Sequence, residues 1–467
     1  MSRHPHASEL IVPLLPDTVA ISSDGVLHIA EHSVSDLVRG YGTPLCIFDR
    51  ATIVRACQEY RQAFSEVYRA SQAQILYAAK AYLSPLLARL IAEQGMGLDV
   101  VSGGELLVAQ QAAFPMERIS FHGNNKSEAE LRLALELGVG RIVLDNWHEL
   151  ARLTRLARET AQRPGVLLRV APEVETDTHR YLQTGHAASK FGFPLRNGEA
   201  KAAALRILHE GHLHLRGLHA HAGTMLREAR PYQQSLERLL RLAAELYQEA
   251  RWWPAEISPG GGWAIATPEQ MAVPPLTVLA QALHETMERE VALISDTLPA
   301  PALLFEPGRS IVARAGFSVY SIGARKSTPG GVTYLFVDGG MGDNIRPALY
   351  GAVYAVLAVE RALEPVEESV CVSGRYCESG DMLINSAALP YMQEGDLLAL
   401  PATGAYCLPL ASNYNLVPRP AVILVSEGQV EVMERRETYD DLLARYPVVA
   451  THDIEEDRRA SSGAHHM

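Results

Sequence analysis

QILYAAKAYLSPLLARLIAEQGMGLDVVS, residues 74–102, opens with a short apolar run that closes on a lysine. It continues through apolar residues at helical spacing and ends in a second short apolar run, GLDVVS. That order is one βα unit followed by the strand of the next. Outward from this stretch the same alternation recurs. ISFHG at 119–123, RIVLDN at 141–146, VLLRVAP at 166–172, LRGLHAHAG at 215–223, AEISPGGG at 255–262 and ALLFEPGRS at 302–310 bring the strand-type runs to eight. SEAELRLALELG, WHELARLTRLARETA and YQQSLERLLRLAAELYQEA supply helices between them. Eight consecutive units predict an α/β fold, a (β/α)8 barrel of TIM type, because right-handed crossovers then cover every strand on both faces.

Past residue 313 the texture changes. FSVYSIGARK, VTYLFVDGG, SVCVSG, DLLALPATGAY and AVILVSEGQVEVMERR are alternating runs broken by turns, which predicts an all-β domain of barrel or sandwich type. The first 45 residues, with GVLHIAEH, lack helical periodicity and are expected to pack with that domain. The chain thus divides into an N-terminal segment 1–45, a barrel 46–312, a β domain 313–450 and a charged tail 451–467 expected to be poorly ordered.

A length of 467 residues with 48% apolar content supports more than one packed domain and rules out general disorder. The formal net charge of -12 leaves no basic face for a nucleic-acid backbone or an anionic membrane. Five cysteines without C-x-x-C spacing argue against a disulfide framework and a structural zinc, and fit a reducing cytoplasm. The N-terminus lacks a basic start followed by an apolar stretch, and no segment runs ~20 apolar residues, so neither secretion nor membrane insertion is indicated.

Barrel active sites lie at the carboxyl ends of the strands, so catalytic residues belong where an apolar run gives way to polar loop. Lys80 closes the first run, Asp99 and Ser102 the second, His122 and Asn124 the third; Arg169 lies in the fifth, His219 and His221 in the sixth. Gly260, Gly261 and Gly262 end the seventh, and Glu306, Pro307, Gly308 and Arg309 the eighth. Taken singly, Lys80 reads as a snorkelling surface lysine, the triple glycine as a turn, Glu306 with Arg309 as an ion pair and Cys377 as a small buried hydrophobe. Together they suit other roles. Desolvation in a barrel mouth would depress the Lys80 pKa and free its amine to form imines. The loops after the last two strands are where barrels hold phosphate, and glycine N–H groups with Arg309 suit an anion. His219 and His221, two apart on a strand, face the same side and read either as a metal pair or as a flat imidazole stacked on an aromatic ring. With Glu378 beside it and Ser379-Gly380-Asp381 following, Cys377 reads as an exposed reactive position.

These motifs, taken in order, resemble one family. YGTPLCIFD, YAAKA, LDVVSGGEL, HGNNKS, TGHAASKFGF, GLHAHAG, GGG, EPGRSIVA, DGGMGDNIRPALY, CESGD, GAY, SNYN and RPA span residues 41 to about 421 and are similar to the diaminopimelate decarboxylases, fold type III pyridoxal-phosphate enzymes. The resemblance implies pyridoxal 5'-phosphate as cofactor, Lys80 as its Schiff-base lysine, His221 stacked on its ring and Glu306 at its ring nitrogen. It implies cofactor contacts from Asp99, Thr224, Gly260, Gly261, Gly262, Pro307, Gly308, Arg309 and Tyr406. Cys377 resembles the residue that reprotonates the product from a neighbouring subunit, which implies a homodimer with shared sites.

Substrate choice follows from charge. The distal end of meso-diaminopimelate carries an ammonium and a carboxylate, and Glu378 suits the first while Arg346, Arg309, Tyr350 and Tyr406 suit the second. The expected reaction is decarboxylation of meso-diaminopimelate to L-lysine, with a related decarboxylase for another amino acid as the alternative. A metal-dependent barrel hydrolase using the histidine run is the weaker alternative. The chain departs from the family pattern at Thr224 and Met225 (HAGTM for HIGSQ), at Trp263 after the glycines, at Arg375-Tyr376 before CESGD and at Cys407 after GAY.

Overall fold

The computed structural model of the chain describes residues 12–69, 72–172, 174 and 190–447. Eight parallel strands pair in chain order: β1 (Ala73–Ala78), β2 (Gly97–Val100), β3 (Ile119–Phe121), β4 (Arg141–Leu144), β5 (Gly165–Ala171), β6 (His214–His219), β7 (Glu256–Ser258) and β8 (Ala302–Phe305). β8 returns to β1 with Leu303 opposite Ala73, which closes the barrel. All eight overlap the runs picked out in the sequence, three of them starting one residue earlier, at Ala73, Gly165 and His214. The helices between them start where the sequence supplies caps. Ser84 precedes Pro85–Glu93, Ser102 precedes Gly103–Gln111, and Ser127 with Glu130 forms a capping box on Glu128–Leu137. Leu87, Ala88, Leu90 and Ile91 of the first of these are buried against the strands, at the spacing that puts them on one face.

Strand alternation stacks the barrel interior in layers. At the amino ends of the strands the Arg141 guanidinium donates twice to Glu256, at 2.6 and 2.7 Å, and once to Gln74 at 2.9 Å. Burial alone would raise the Glu256 pKa, but the Arg141 bonds hold the carboxyl below its usual range. The middle layer is apolar: Leu76, Val143, Leu167 and Leu304 form a cluster of their own, each fully buried. Two residues further along the same strands come Ala78, Asp145, Arg169 and Glu306. Period-two alternation therefore delivers polar groups to the top layer from three of these strands, with Ala78 on the fourth.

The second sheet runs Met382–Leu389, Glu368–Ser373, Thr333–Val337, Gly316–Ser327, Leu45–Asp49, Ala421–Ser426, Gln429–Glu434. Leu45–Asp49 lies inside this sheet, antiparallel to Gly316–Ser327 and parallel to Ala421–Ser426. The passage into the barrel thus falls after Asp49, later than the expected residue 46. LCIFD is buried throughout, and an unbroken apolar run carries no mark of which sheet it will join. The small sheet of Val19–Ile21, Leu27–Ile29 and His32–Ser33 packs on this domain, with Leu27 and Ile29 in one apolar cluster with Phe317, Val319 and Ile423. Residues 1–11 and the tail 451–467, expected to be poorly ordered, lie outside the described residues. Among the described residues no helix is long and apolar enough to cross a membrane.

Replacing Arg141 with methionine leaves a buried carboxylate with half its partners. It should cost about 3 kcal/mol of stability, read as a lowered urea midpoint. The site at the opposite end of the strands should keep its KM.

Candidate active site

A cavity of about 730 Å³ opens at the carboxyl ends of the barrel strands, between the barrel and the second domain. The two domains are tied at its edge: the Tyr406 N–H donates to the Ala81 carbonyl at 2.7 Å, and Phe48 stacks on Tyr82 at 4.9 Å.

Lys80 stands on the turn Ala79–Ala81 that ends β1, and its ammonium lies 3.6 Å from Asp99 at the end of β2. This carboxylate, more than desolvation, sets the lysine's titration: Asp99 raises the Lys80 pKa, against the expectation that burial would lower it. Directly below, the Pro307 carbonyl accepts the Ala78 N–H at 2.9 Å, and a side chain at Gly308 would press on Ala78 at 3.0 Å. The EPG turn is thereby locked to the strand that carries Lys80.

Glu306 does not pair with Arg309. One carboxylate oxygen accepts from Ser258 at 2.9 Å and the other lies 3.0 Å from His219 Nε2. Burial would raise this carboxyl, yet His219, His122 and Ser258 hold it well below the usual carboxylate range. His122, edge-on to His219, stands 3.5 Å from Asp99 and 3.8 Å from Glu306, and burial drives its pKa far down. Donor atoms of His122, His219 and Glu306 lie within 4.8 Å of one another. The H-x-H pair itself is split, since His221 Nδ1 accepts from the Gly261 N–H at 3.3 Å. Accepting there requires a lone pair on Nδ1, which agrees with burial, Lys80 and Arg169 keeping His221 neutral.

The triple glycine serves packing more than an anion. A side chain on Gly261 would sit 1.8 Å from the Glu306 carbonyl, and one on Gly262 would sit 2.1 Å from that of Gly223. The Gly260 and Gly261 N–H groups are taken by Ser258 and His221, and of the three glycines Gly262 lines the cavity. Arg309 lies with its guanidinium 4.6 Å over the Tyr406 ring, its buried Nε without a hydrogen-bond partner. Arg346 lies 5.4 Å from the Tyr350 ring and 5.7 Å from that of Tyr406. Thr224, Met225 and Trp263 line the same cavity, and the Trp263 indole donates to the Pro274 carbonyl.

Cys377, Glu378 and Arg375 are exposed on the loop after Glu368–Ser373, and none of them lines this chain's cavity. Asp381 fixes that loop, its carboxylate accepting the N–H groups of Tyr376 and Met341 at 2.8 and 2.7 Å. A side chain on Gly340 or Gly374 would reach within 2.4 Å of this carboxylate. His122, His219, Ser258 and Arg169 belong to the site too; the sequence places His122, Arg169 and His219 at strand ends without predicting their contacts, and does not single out Ser258. Their position at strand ends was the available signal.

The family model for the pyridoxal-dependent decarboxylases, pyridoxal binding domain, matches residues 50–313. A diaminopimelate decarboxylase of Bacillus subtilis (strain 168) is 41% identical over 419 residues, 90% of this chain and 94% of the relative. The crystal structure of diaminopimelate decarboxylase from M. jannaschii in complex with L-lysine superposes with a TM-score of 0.86 at 31% identity, over 93% of this chain and 98% of that one. A lysine/ornithine decarboxylase from Vibrio vulnificus, 20% identical with a TM-score of 0.72 over 87% of this chain and 100% of its own, shares the fold. The cavity between two domains, the lysine at the end of the first barrel strand and these likenesses together make the chain a member of the diaminopimelate decarboxylase family of pyridoxal-dependent decarboxylases.

Proposed function

We propose that the chain is a carboxy-lyase that converts meso-diaminopimelate to L-lysine and carbon dioxide, using pyridoxal 5'-phosphate held by Lys80. The observation that carries this reading is a primary amine and an ionised buried carboxylate, Glu306, facing one cavity that also holds Arg169, Arg309 and Arg346. The donor set fits the cofactor. Lys80 suits an aldehyde, Glu306 a basic ring nitrogen, the neutral His221 a flat ring, and the unpartnered Nε of buried Arg309 an anion. When bound, the cofactor supplies an electron sink for the pair left behind as carbon dioxide departs.

This chain's residues do the rest. His219 and Ser258 keep Glu306 ionised, so its carboxylate holds a proton at the ring nitrogen. Asp99 holds the Lys80 amine toward the cavity. Gly262, Gly308, Thr224 and Arg309 bind the phosphate, while Gly260, Gly261 and Pro307 hold the loops that present them. Arg346, Tyr350 and Tyr406 bind the distal carboxylate of the substrate. Glu378 takes its distal ammonium, and Cys377 returns a proton to the carbon that has lost its carboxylate. Both stand on an exposed loop away from this chain's cavity, so a second copy supplies them and the working unit is a homodimer. Exposed Leu349, Val353, Leu410 and Leu416 on the same domain support an apolar face for that copy. Five free cysteines fit a reducing cytoplasm.

Offered meso-diaminopimelate, lysine, ornithine and arginine separately, the loaded protein should release carbon dioxide from the first alone. Release from ornithine only would overturn the substrate assignment. Arg346→Ala should lower kcat/KM about 100-fold through loss of a charge-assisted contact, with cofactor absorbance unchanged; equal loss of both contradicts the role given. Lys80→Ala and Cys377→Ala proteins, each inactive, should regain about a quarter of wild-type activity when mixed and allowed to exchange subunits, because half the dimers then carry one intact site. No recovery counts against shared sites.

A further inference from the structure

Tyr354 and Cys407 remain unassigned, yet Tyr354 touches the group that reads the substrate's far end and Cys407 touches Tyr354. Arg346 opens the helix Arg346–Tyr350, which Gly351 ends in the left-handed conformation, at φ 62. The chain then turns back and brings Tyr354 against the arginine. The Arg346 Nε–H donates to the Tyr354 hydroxyl oxygen at 3.0 Å. That hydroxyl lies 3.4 Å from the sulfur of Cys407, a residue 2% exposed. The sulfur in turn lies 3.8 Å from the Ala405 carbonyl.

One direction satisfies every hydrogen. A guanidinium only donates, so the tyrosine oxygen accepts from it. The single tyrosine proton is then left for the sulfur, and the thiol proton for the Ala405 carbonyl. Burial pushes the Cys407 pKa up to about 11, which keeps that thiol proton in place. The chain of bonds occupies the Nε side of Arg346 and leaves its two terminal nitrogens for the cavity. It is also anchored at its other end. Cys407 follows Tyr406, whose N–H is bonded to the Ala81 carbonyl, one residue past Lys80. A continuous set of contacts therefore runs from the lysine turn to the distal arginine.

Something must hold that arginine. Arg309 and Arg346 both lie over the Tyr406 ring, and the charge of Arg346 lowers the Arg309 pKa beyond what burial does. Repulsion between the two guanidiniums would swing Arg346 away in the absence of a tether.

We propose that Tyr354 and Cys407 are positioning residues for substrate selection: they fix Arg346 at a set distance from Lys80, so that the site takes amino acids whose second carboxylate lies at the matching chain length. This rests on the assignment of Arg346 to the distal carboxylate. The tyrosine ring alone would fill the space, so the hydroxyl is what the role requires.

The test uses the full-length holoenzyme with Tyr354→Phe, Cys407→Ala and Cys407→Ser. L-Lysine keeps the distal carboxylate, whereas cadaverine is the same chain without it. In Tyr354→Phe the KM for diaminopimelate and the inhibition constant of L-lysine should rise together about tenfold, the loss of one hydrogen bond to a charged group. The constant for cadaverine should move less than about twofold, and kcat less than about threefold. Cys407→Ser, which keeps a donor and an acceptor, should stay near wild type, with Cys407→Ala between the two. An unchanged KM in Tyr354→Phe overturns the proposal, as does equal weakening of L-lysine and cadaverine. Should Tyr354→Phe fail to take up cofactor, the two Cys407 variants decide, and equal KM values for them overturn it. Wild-type protein that releases no carbon dioxide from diaminopimelate sinks the substrate assignment and this inference with it; active wild type with an indifferent Tyr354→Phe sinks the positioning role alone.

Discussion

The return of β8 to β1 is the contact on which the rest of the site depends. It brings the EPG turn under the lysine, where Pro307 accepts the Ala78 N–H and Gly308 packs on Ala78. Residues more than two hundred positions apart in sequence are thereby fixed relative to one another through backbone, which holds a geometry more tightly than side-chain packing does. The apolar layer of Leu76, Val143, Leu167 and Leu304 lies directly beneath. A polar layer set on a close-packed floor has little freedom to relax, and a reactive amine benefits from that rigidity.

Charge in the upper layer is arranged in opposition. Asp99 faces Lys80, and Glu306 faces two imidazoles and a hydroxyl. Each carboxylate would cost several kcal/mol to bury alone. Placed against these partners they part ways: His219, His122 and Ser258 hold Glu306 well below the usual carboxylate range, whereas burial raises Asp99 against the pull of Lys80. Arg309 and Arg346 are the uncompensated part: no carboxylate of the described residues bonds to either, and their mutual repulsion favours an anion between them.

Much of this was legible in the sequence because barrels put chemistry where strands end. Lys80, Asp99, His221, Glu306 and Arg309 were found that way, and the eight strands by run length and flanking turns. What could not be read were pairings made across the barrel. Glu306 and Arg309 sit three apart and look like an ion pair; the fold sends one to Ser258 and His219 and the other to Tyr406. Gly260 and Gly261 look like an anion cradle, but neighbouring backbone fills the space their missing side chains leave. Residues 45–48 form an unbroken apolar run before Asp49, so nothing local says which sheet it joins. Tyr354 belongs to no recognisable motif, and its meeting with Cys407 depends on the turn at Gly351.

The chemistry of the site turns on which amine holds the cofactor. Borohydride reduction of cofactor-loaded protein followed by peptide mapping tests this directly. A pyridoxyl label on Lys80 is the predicted result; a label on Lys126 or Lys190 instead, or an unlabelled Lys80 in fully loaded protein, would contradict it.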